Sequence, residues 1–347
     1  MTDRALPHAP EGHPRQREPK IGILVANLGT PEATDYWSMR HYLSEFLSDK
    51  RVIDYPSWKW QPILQLIILT KRPRAKGRDY DTIWNRERNE SPLLTITRAQ
   101  TDKLRKAAGA LWGDRVMVEF SMRYGKPSTE SLVRKMVDAG CERILFLPLY
   151  PHYAGATWAT ANDGFFRALM KEKRQPAIRT VPEYFEEPAY IAALAASVER
   201  AYADLPKRPD VLVASYHGMP KRYLDEGDPY HCQCQKTTRL LRERLGWAPD
   251  AIDTTFQSVF GPEEWLKPYT VKHVAALAQA GKRNIAVISP AFSADCIETL
   301  EEIQGEIREA FLHAGGESFT YIPCLNDQDD HIAALMGVIT RNLAGWV

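Results

Sequence analysis

No stretch of this sequence stays apolar long enough to cross a bilayer. The longest apolar run, 63–69, is interrupted by Gln65 and falls well short of the roughly 20 residues a span requires. An excess of one charge is also missing. Lys and Arg total 45 against 44 Asp and Glu, so no net field favours nucleic acid, and attraction to an anionic surface must come from a local patch. Cysteine is scarce. Cys141, Cys232, Cys234, Cys296 and Cys324 are odd in number and follow no export segment, which fits reduced thiols in the cytoplasm and not a disulfide framework. Only Cys232 and Cys234 lie close together, as C-Q-C, with no second pair at zinc-site spacing, so a cysteine-held metal is not expected. A glycine-rich phosphate loop is absent, because NLGTP holds a single glycine, and so is a G-x-S-x-G elbow. These two gaps argue against nicotinamide, ATP and serine-hydrolase chemistry. Residues 1–19 hold four prolines and no apolar run, the composition of a disordered leader.

What the sequence does contain is a rhythm of buried strands and amphipathic helices. Runs 21–26, 143–147, 211–215 and 284–289 are short, nearly continuous apolar segments closed by Gly, Pro or polar residues, as expected of parallel strands buried on both faces. Between them, stretches such as 129–139 and 189–203 repeat apolar residues at three- and four-residue steps. That alternation predicts an α/β fold of βαβ units. The strands also fall into two similar pairs: ILVANLGTP resembles VLVASYHGMP, and ILFLPLYPHY resembles IAVISPAFSAD. We therefore expect two Rossmann-like lobes related by a pseudo-two-fold, each a parallel β-sheet flanked by helices. The N-terminal lobe would span 20–175 and the C-terminal lobe 176–325, with a boundary near Gln175 and Pro176. A last helix, 326–347, would pack back on the first lobe.

In open α/β sheets ligands bind beyond the carboxyl ends of the strands. After the third run the chain reads Ser215-Tyr216-His217-Gly218-Met219-Pro220, which leaves His217 at a strand mouth, free either to meet a ligand or to bond a neighbouring loop. After the fourth run comes an acidic helix. The helix dipole accounts for carboxylates in a first turn, at about 0.3–1 kcal/mol each. It does not account for Glu298, Glu302 and Glu306 at i, i+4 and i+8, which form one stripe: either a solvated face or a path for a divalent cation. An imidazole and a carboxylate at one cleft suit divalent-metal binding or proton transfer.

At these same segments the sequence resembles the ferrochelatase family. The resemblance runs from about Lys20 to the C-terminus and rests on NLGTP (27–31), SMRYGKPS (121–128), SYHGMP (215–220), GDPYHCQC (227–234), FQSVFGPEEWLKP (256–268) and AFSADCIETLEE (291–302), in that order. It implies a chelatase-like fold and an enzyme that inserts Fe²⁺ into protoporphyrin IX, releasing two protons to give protohaem in the terminal step of haem biosynthesis. It further implies His217 as the active-site histidine and Glu298 as the acidic partner across the porphyrin, both also candidate metal contacts. Arg72, Tyr80 and Ser91 match positions that meet propionates, Arg123 a buried cleft arginine, Trp265 an aromatic near the pocket, and His152 a metal-side histidine of some relatives. Glu302, Glu306 and His152 are thus candidates for a metal path. Leu28, Phe292 and Trp265 are candidate apolar walls for a large flat ring. Two departures stand out. Cys296 replaces a second histidine found in several relatives, and no cysteine follows Cys324, so no iron–sulfur cluster is expected and no cofactor beyond the substrate iron. A chelatase for coproporphyrin or cobalt, and a non-catalytic porphyrin or haem carrier, remain the alternative readings.

One segment bears on where such a protein would work. From Trp58 to Arg78 an apolar stretch, WKWQPILQLIIL, is followed by the basic KRPRAKGR. This is either a core helix with a solvated loop or an amphipathic lip on an anionic membrane, which would make the protein cytoplasmic and peripheral at the inner membrane face.

Overall fold

The computed structural model describes residues 10–12 and 18–347, so the expected leader lies largely outside the described residues. The first sheet holds β1 (Lys20–Thr30), β2 (Val116–Gly125), β3 (Cys141–Pro148) and β4 (Ala177–Thr180) in the order β2-β1-β3-β4. The second holds β5 (Val211–His217), β6 (Ile252–Gln257), β7 (Asn284–Ile288) and β8 (Ser318–Ile322) in the order β6-β5-β7-β8. Every pairing is parallel. The two sheets therefore share one strand order, as the paired motifs predict: β1 corresponds to β5 and β3 to β7.

The four apolar runs are the two central strands of each sheet, and burial explains why. On β1, Ile23 and Val25 enter one core while Leu24 and Ala26 enter another on the opposite face. On β5, Leu212 and Ala214 face one core and Val211 and Val213 the other. The helix Pro92–Trp112 covers one face of β1 and β2, and helices Thr129–Asp138 and Thr160–Leu169 pack together on the other. The predicted helices 129–139 and 189–203 are observed as Thr129–Asp138 and Pro188–Ala203.

One boundary differs from expectation. β4 pairs with β3, so the first sheet continues through Thr180, past the boundary expected near Gln175 and Pro176. Its four residues, AIRT, are half-buried or exposed and give no apolar run to read. The lobes are also fused: Val25 and Leu147 share a single core with Ala214 and Ile288. The helix Asp329–Asn342 packs on helices Pro92–Trp112 and Pro188–Ala203 and on β3. Beyond it, Arg179 Nη1 donates to the carbonyls of Asn342 (2.7 Å) and Ala344 (2.9 Å), with its guanidinium 4.3 Å from the Trp346 ring centre.

Candidate active site at the mouths of the two sheets

His217 is the last residue of β5, in register with Gln257 at the end of β6. Its Nδ1 lies 2.7 Å from the Gly218 carbonyl. A carbonyl can only accept, so Nδ1 carries a proton, and in the neutral ring Nε2 presents the lone pair. Gly218 is required by a close approach: a Cβ there would lie 2.5 Å from the Gln257 carbonyl oxygen and 3.1 Å from the Trp265 ring. Trp265 is buried against this turn, its Nε1 without a partner, and Phe260 lies 4.8 Å from it, ring centre to ring centre.

Glu298 opens the segment Glu298–Ile307, which is a π-helix where the sequence leads one to expect an α-helix. Its wider i→i+5 winding, a form concentrated at functional sites, still keeps Glu298, Glu302 and Glu306 along one flank. The turn before it is fixed by Asp295, which accepts from Tyr321 Oη (2.5 Å), Thr299 Oγ1 (3.0 Å) and Asn326 Nδ2 (2.6 Å). Glu302 is gripped by the end of β6: Ser258 N–H donates to Oε1 (2.7 Å), and Ser258 Oγ to Oε2 (2.5 Å). Burial raises the Glu302 carboxyl above the usual range, against the opposing pull of the Ser258 hydroxyl and of a neighbouring His217. His217 and the acidic flank thus meet in one electrostatic neighbourhood.

The other lobe faces Glu298 with phenols. Burial first, and then the charge of Glu298, push the Tyr80 hydroxyl well above its ordinary pKa. Tyr42 is raised by burial, Tyr80 and Glu298. Cys296 lies beside the same carboxylate, its thiol raised first by burial and next by Glu298. Lys76, on the helix Leu69–Ile83, pairs with Asp79 (2.9 Å) and also feels the charges of Glu301 and Glu298. Deeper in this lobe, Asp49 Oδ2 accepts from Arg123 Nη2 (2.5 Å), Tyr124 Oη (2.9 Å) and Thr160 Oγ1 (2.5 Å). Burial works against the Asp49 charge, but these bonds outweigh it and hold the carboxyl below its usual range. Leu28 and Phe292 pack together around Cys296, Leu93 and Ala294, forming an apolar wall that joins the two lobes.

The remaining candidates are placed apart. Arg72 is exposed, about 6.0 Å from the Phe260 ring centre across the cleft. Tyr80 on the same helix is buried, and buried Ser91 caps the helix Pro92–Trp112 by accepting from Leu94 N–H (3.2 Å). These three do not form one exposed edge. His152 is sealed among Phe185, Tyr216 and Tyr230 on the face of β5 opposite His217, its Nε2 2.8 Å from Thr237 Oγ1. Burial lowers its pKa to about 3. Glu306 is exposed at the outer end of the stripe. Sequence reasoning missed Asp49, Asp295, Gln257 and Ser258 as site-builders. Gln257 and Ser258 sit inside the FQSVFGPEEWLKP motif, the one signal that pointed near them.

This geometry can be set beside known proteins. A family model described as Ferrochelatase matches residues 20–343. The chain is 73% identical over 348 residues to a ferrochelatase of Rhodobacter capsulatus, covering 100% of this chain and 99% of that one. It is 54% identical to one from Chelativorans sp. (strain BNC1), covering 99% and 97%. Among solved structures, SirB from Bacillus subtilis with Fe³⁺ superposes with a TM-score of 0.51 at 12% identity, over 94% of this chain and 97% of that one. The sirohydrochlorin chelatase SirB in complex with cobalt gives 0.52 at 10% identity, over 93% and 95%. The two structures support the shared two-lobed fold alone. The family model and the near-full-length relatives go further: the chain belongs to the ferrochelatase family.

Proposed function

We infer that the chain works as a ferrochelatase, inserting Fe²⁺ into protoporphyrin IX with release of two protons, and that His217 and Glu298 carry the chemistry. The observation that carries the site assignment is the His217 tautomer: Nδ1 is spent on the Gly218 carbonyl, so Nε2 is the lone pair offered to the cleft. A neutral imidazole with a free ring nitrogen can take a pyrrole proton there. Contact with the iron is its second role. Glu298 lies between Cys296 and the Tyr42–Tyr80 pair and passes protons or iron along the flank to Glu302 and Glu306. Leu28, Phe292 and Trp265 wall the ring, and Arg72 supplies a cation at the rim. Arg123 shapes the cleft through Asp49. His152, Ser91 and Tyr80 support it from buried positions.

The reaction in this reading needs no resident cofactor. Cys232 is exposed while Cys234 is buried, so the C-Q-C pair does not present two thiols to one ion. The segment from Trp58 to Arg78 forms a broken helix whose Trp58 and Leu66 are 75% and 74% exposed, with Lys71, Arg72, Arg74 and Arg78 exposed beside them. Among the described residues no helix is long and apolar enough to cross a membrane. This lip is our candidate for peripheral contact at the inner membrane face, where a lipid-soluble ring could be received from the bilayer. Flotation with anionic vesicles should carry the protein upward, and a Trp58→Ser, Leu66→Ser variant should stay below. Equal flotation of both would remove the assignment.

The direct test of function is anaerobic incubation of catalytic protein with Fe²⁺ and protoporphyrin, following loss of porphyrin fluorescence. Many turnovers per chain are expected. Stoichiometric quenching without turnover would mark a carrier instead.

A further inference from the structure

Two adjacent residues at the end of β6, Gln257 and Ser258, place three hydrogen bonds on the carboxylate of Glu302, the middle acid of the flank. Ser258 donates twice, from its backbone N–H to Oε1 (2.7 Å) and from its hydroxyl to Oε2 (2.5 Å). Gln257 Nε2, which donates to the Glu298 backbone carbonyl (2.7 Å), adds a third, longer bond to Glu302 Oε2 (3.3 Å). Its amide is oriented for this, because Ser215 Oγ donates to Gln257 Oε1 (2.7 Å) and so turns Nε2 toward the π-helix. A carboxylate offers about four acceptor sites, and three donors leave about one. Each donor also aims a partial positive charge at the group that a cation would have to approach.

The backbone supports the same conclusion. Ser258 sits at φ 60, a left-handed conformation that non-glycine residues rarely adopt. Strain of this kind persists where surrounding structure enforces it and gathers at functional sites. In this conformation both the Ser258 N–H and its hydroxyl reach Glu302. The twofold grip spans from the end of β6 to the π-helix, joining the strand beside His217 to the acidic flank.

We propose that Ser258 detunes Glu302 for divalent cations, so that Fe²⁺ passes along the flank from Glu306 to Glu298 without coming to rest midway. Passage along a row of sites requires each to bind strongly enough to receive the ion and weakly enough to release it. An unclamped Glu302, flanked by two further carboxylates, would be the strongest site in the row. Ser258 is in this sense a positioning residue: it acts through Glu302 and touches neither iron nor porphyrin.

The inference rests on the reading of Glu298, Glu302 and Glu306 as the iron path, and the test separates the two. Removing the Ser258 hydroxyl deletes one hydrogen bond to a charged group, so the KM for Fe²⁺ in Ser258→Ala should fall about tenfold while kcat falls as well. Merely structural damage would raise the KM or leave it unmoved. Ser258→Gly relieves the backbone and loses the same hydroxyl, so it should show the same fall even if the alanine variant folds poorly. Calorimetric titration with Mn²⁺, without porphyrin, should show a site in both variants that is weaker in the unaltered protein. In a Glu302→Gln background, Ser258→Gly should change nothing further. If Glu302→Gln leaves the Fe²⁺ KM where it was, the path reading fails. If Glu302→Gln raises it but neither Ser258 variant lowers it, the clamp alone is overturned.

Discussion

His217 and Glu298 were both legible as candidates from the sequence, because His217 closes one buried strand and Glu298 lies in the segment after another, and such segments rim the cleft of an open α/β sheet. Their chemistry divides cleanly in experiment. His217→Ala removes the lone pair that takes the pyrrole proton, so turnover should drop about a hundredfold or more while porphyrin binding, measured by tryptophan quenching, stays close to normal. Glu298→Gln should cut turnover severely at unchanged porphyrin affinity, and a change confined to affinity would remove it from the relay. The residues that hold these two were not legible. Asp295 sits inside AFSADCIETLEE and Asp49 in a short loop, but the role of Asp295 in fixing the turn before Glu298 arises only when Tyr321 and Asn326 arrive from distant segments, and that of Asp49 in the cleft only when Arg123 and Tyr124 do. His152 shows the reverse case, a histidine near a strand end that the fold seals away. Thr237 gives its hydroxyl proton to the Phe185 carbonyl, so His152 Nε2 must donate to Thr237 and Nδ1 stays buried without a partner. Unfolded, this ring takes a proton near pH 6.5; folded, not until about 3. A depressed folded pKa on a base means stability is lost as pH falls from about 6.5 toward 3. Between pH 7 and 4.5 the protein should therefore lose about 2 kcal/mol more than His152→Gln in urea unfolding.

At the scale of elements, the strands recovered from sequence were the central pair of each sheet, and those missed were the edges. β1, β3, β5 and β7 bury both faces and read as continuous apolar runs. β6, IDTTFQ, buries Thr255 and Gln257 through hydrogen bonds to Ser215 and Thr270, so its burial is polar and invisible to hydropathy. The winding of the acidic helix is equally hidden from sequence: an i, i+4, i+8 carboxylate pattern lies along one flank in an α- or a π-helix, and only backbone bonding distinguishes them. The β5 terminus makes a sharp element-level test. Gly218 is flanked by the Gln257 carbonyl and the Trp265 ring, so Gly218→Ala must push the strand end away from β6. The shift would carry His217 with it. We expect about 1–3 kcal/mol lost from stability, as for overpacking elsewhere, together with a fall in kcat larger than the loss of folded protein explains. A variant that is less stable but turns over normally per folded molecule would show that the His217 position tolerates movement.

At the scale of the whole molecule, the internal repeat was legible because β1 and β5, and β3 and β7, carry matching motifs. The fusion of the halves was not. It depends on a core in which Val25 and Ala214 are members together and on a C-terminal segment that returns across the first lobe. Gln100, on the helix after Ser91, adds a polar tie by donating to the carbonyls of Ser293 and Asn326, both 2.9 Å away in the second lobe. The returning segment is held at its end by arginines from two strands: Arg179 bonds the Asn342 and Ala344 carbonyls, Arg143 bonds that of Trp346, and both guanidinium groups lie near the Trp346 ring. Charge-assisted bonds of this kind are each worth about 1.5–3 kcal/mol when buried and less when exposed. Arg179 is partly exposed toward Ala344, so the lower end applies. Removing residues 344–347, which leaves the buried Leu343 in place, should then lower stability by about 2 kcal/mol and Tm by a few degrees. Because the clamp lies toward the β4 edge of the first sheet, the Fe²⁺ KM should stay unchanged at temperatures where the truncated protein is folded. A raised KM at such temperatures would instead mean that the returning helix sets the angle between the lobes, and with it the distance across the cleft from Glu298 to the Tyr42–Tyr80 pair.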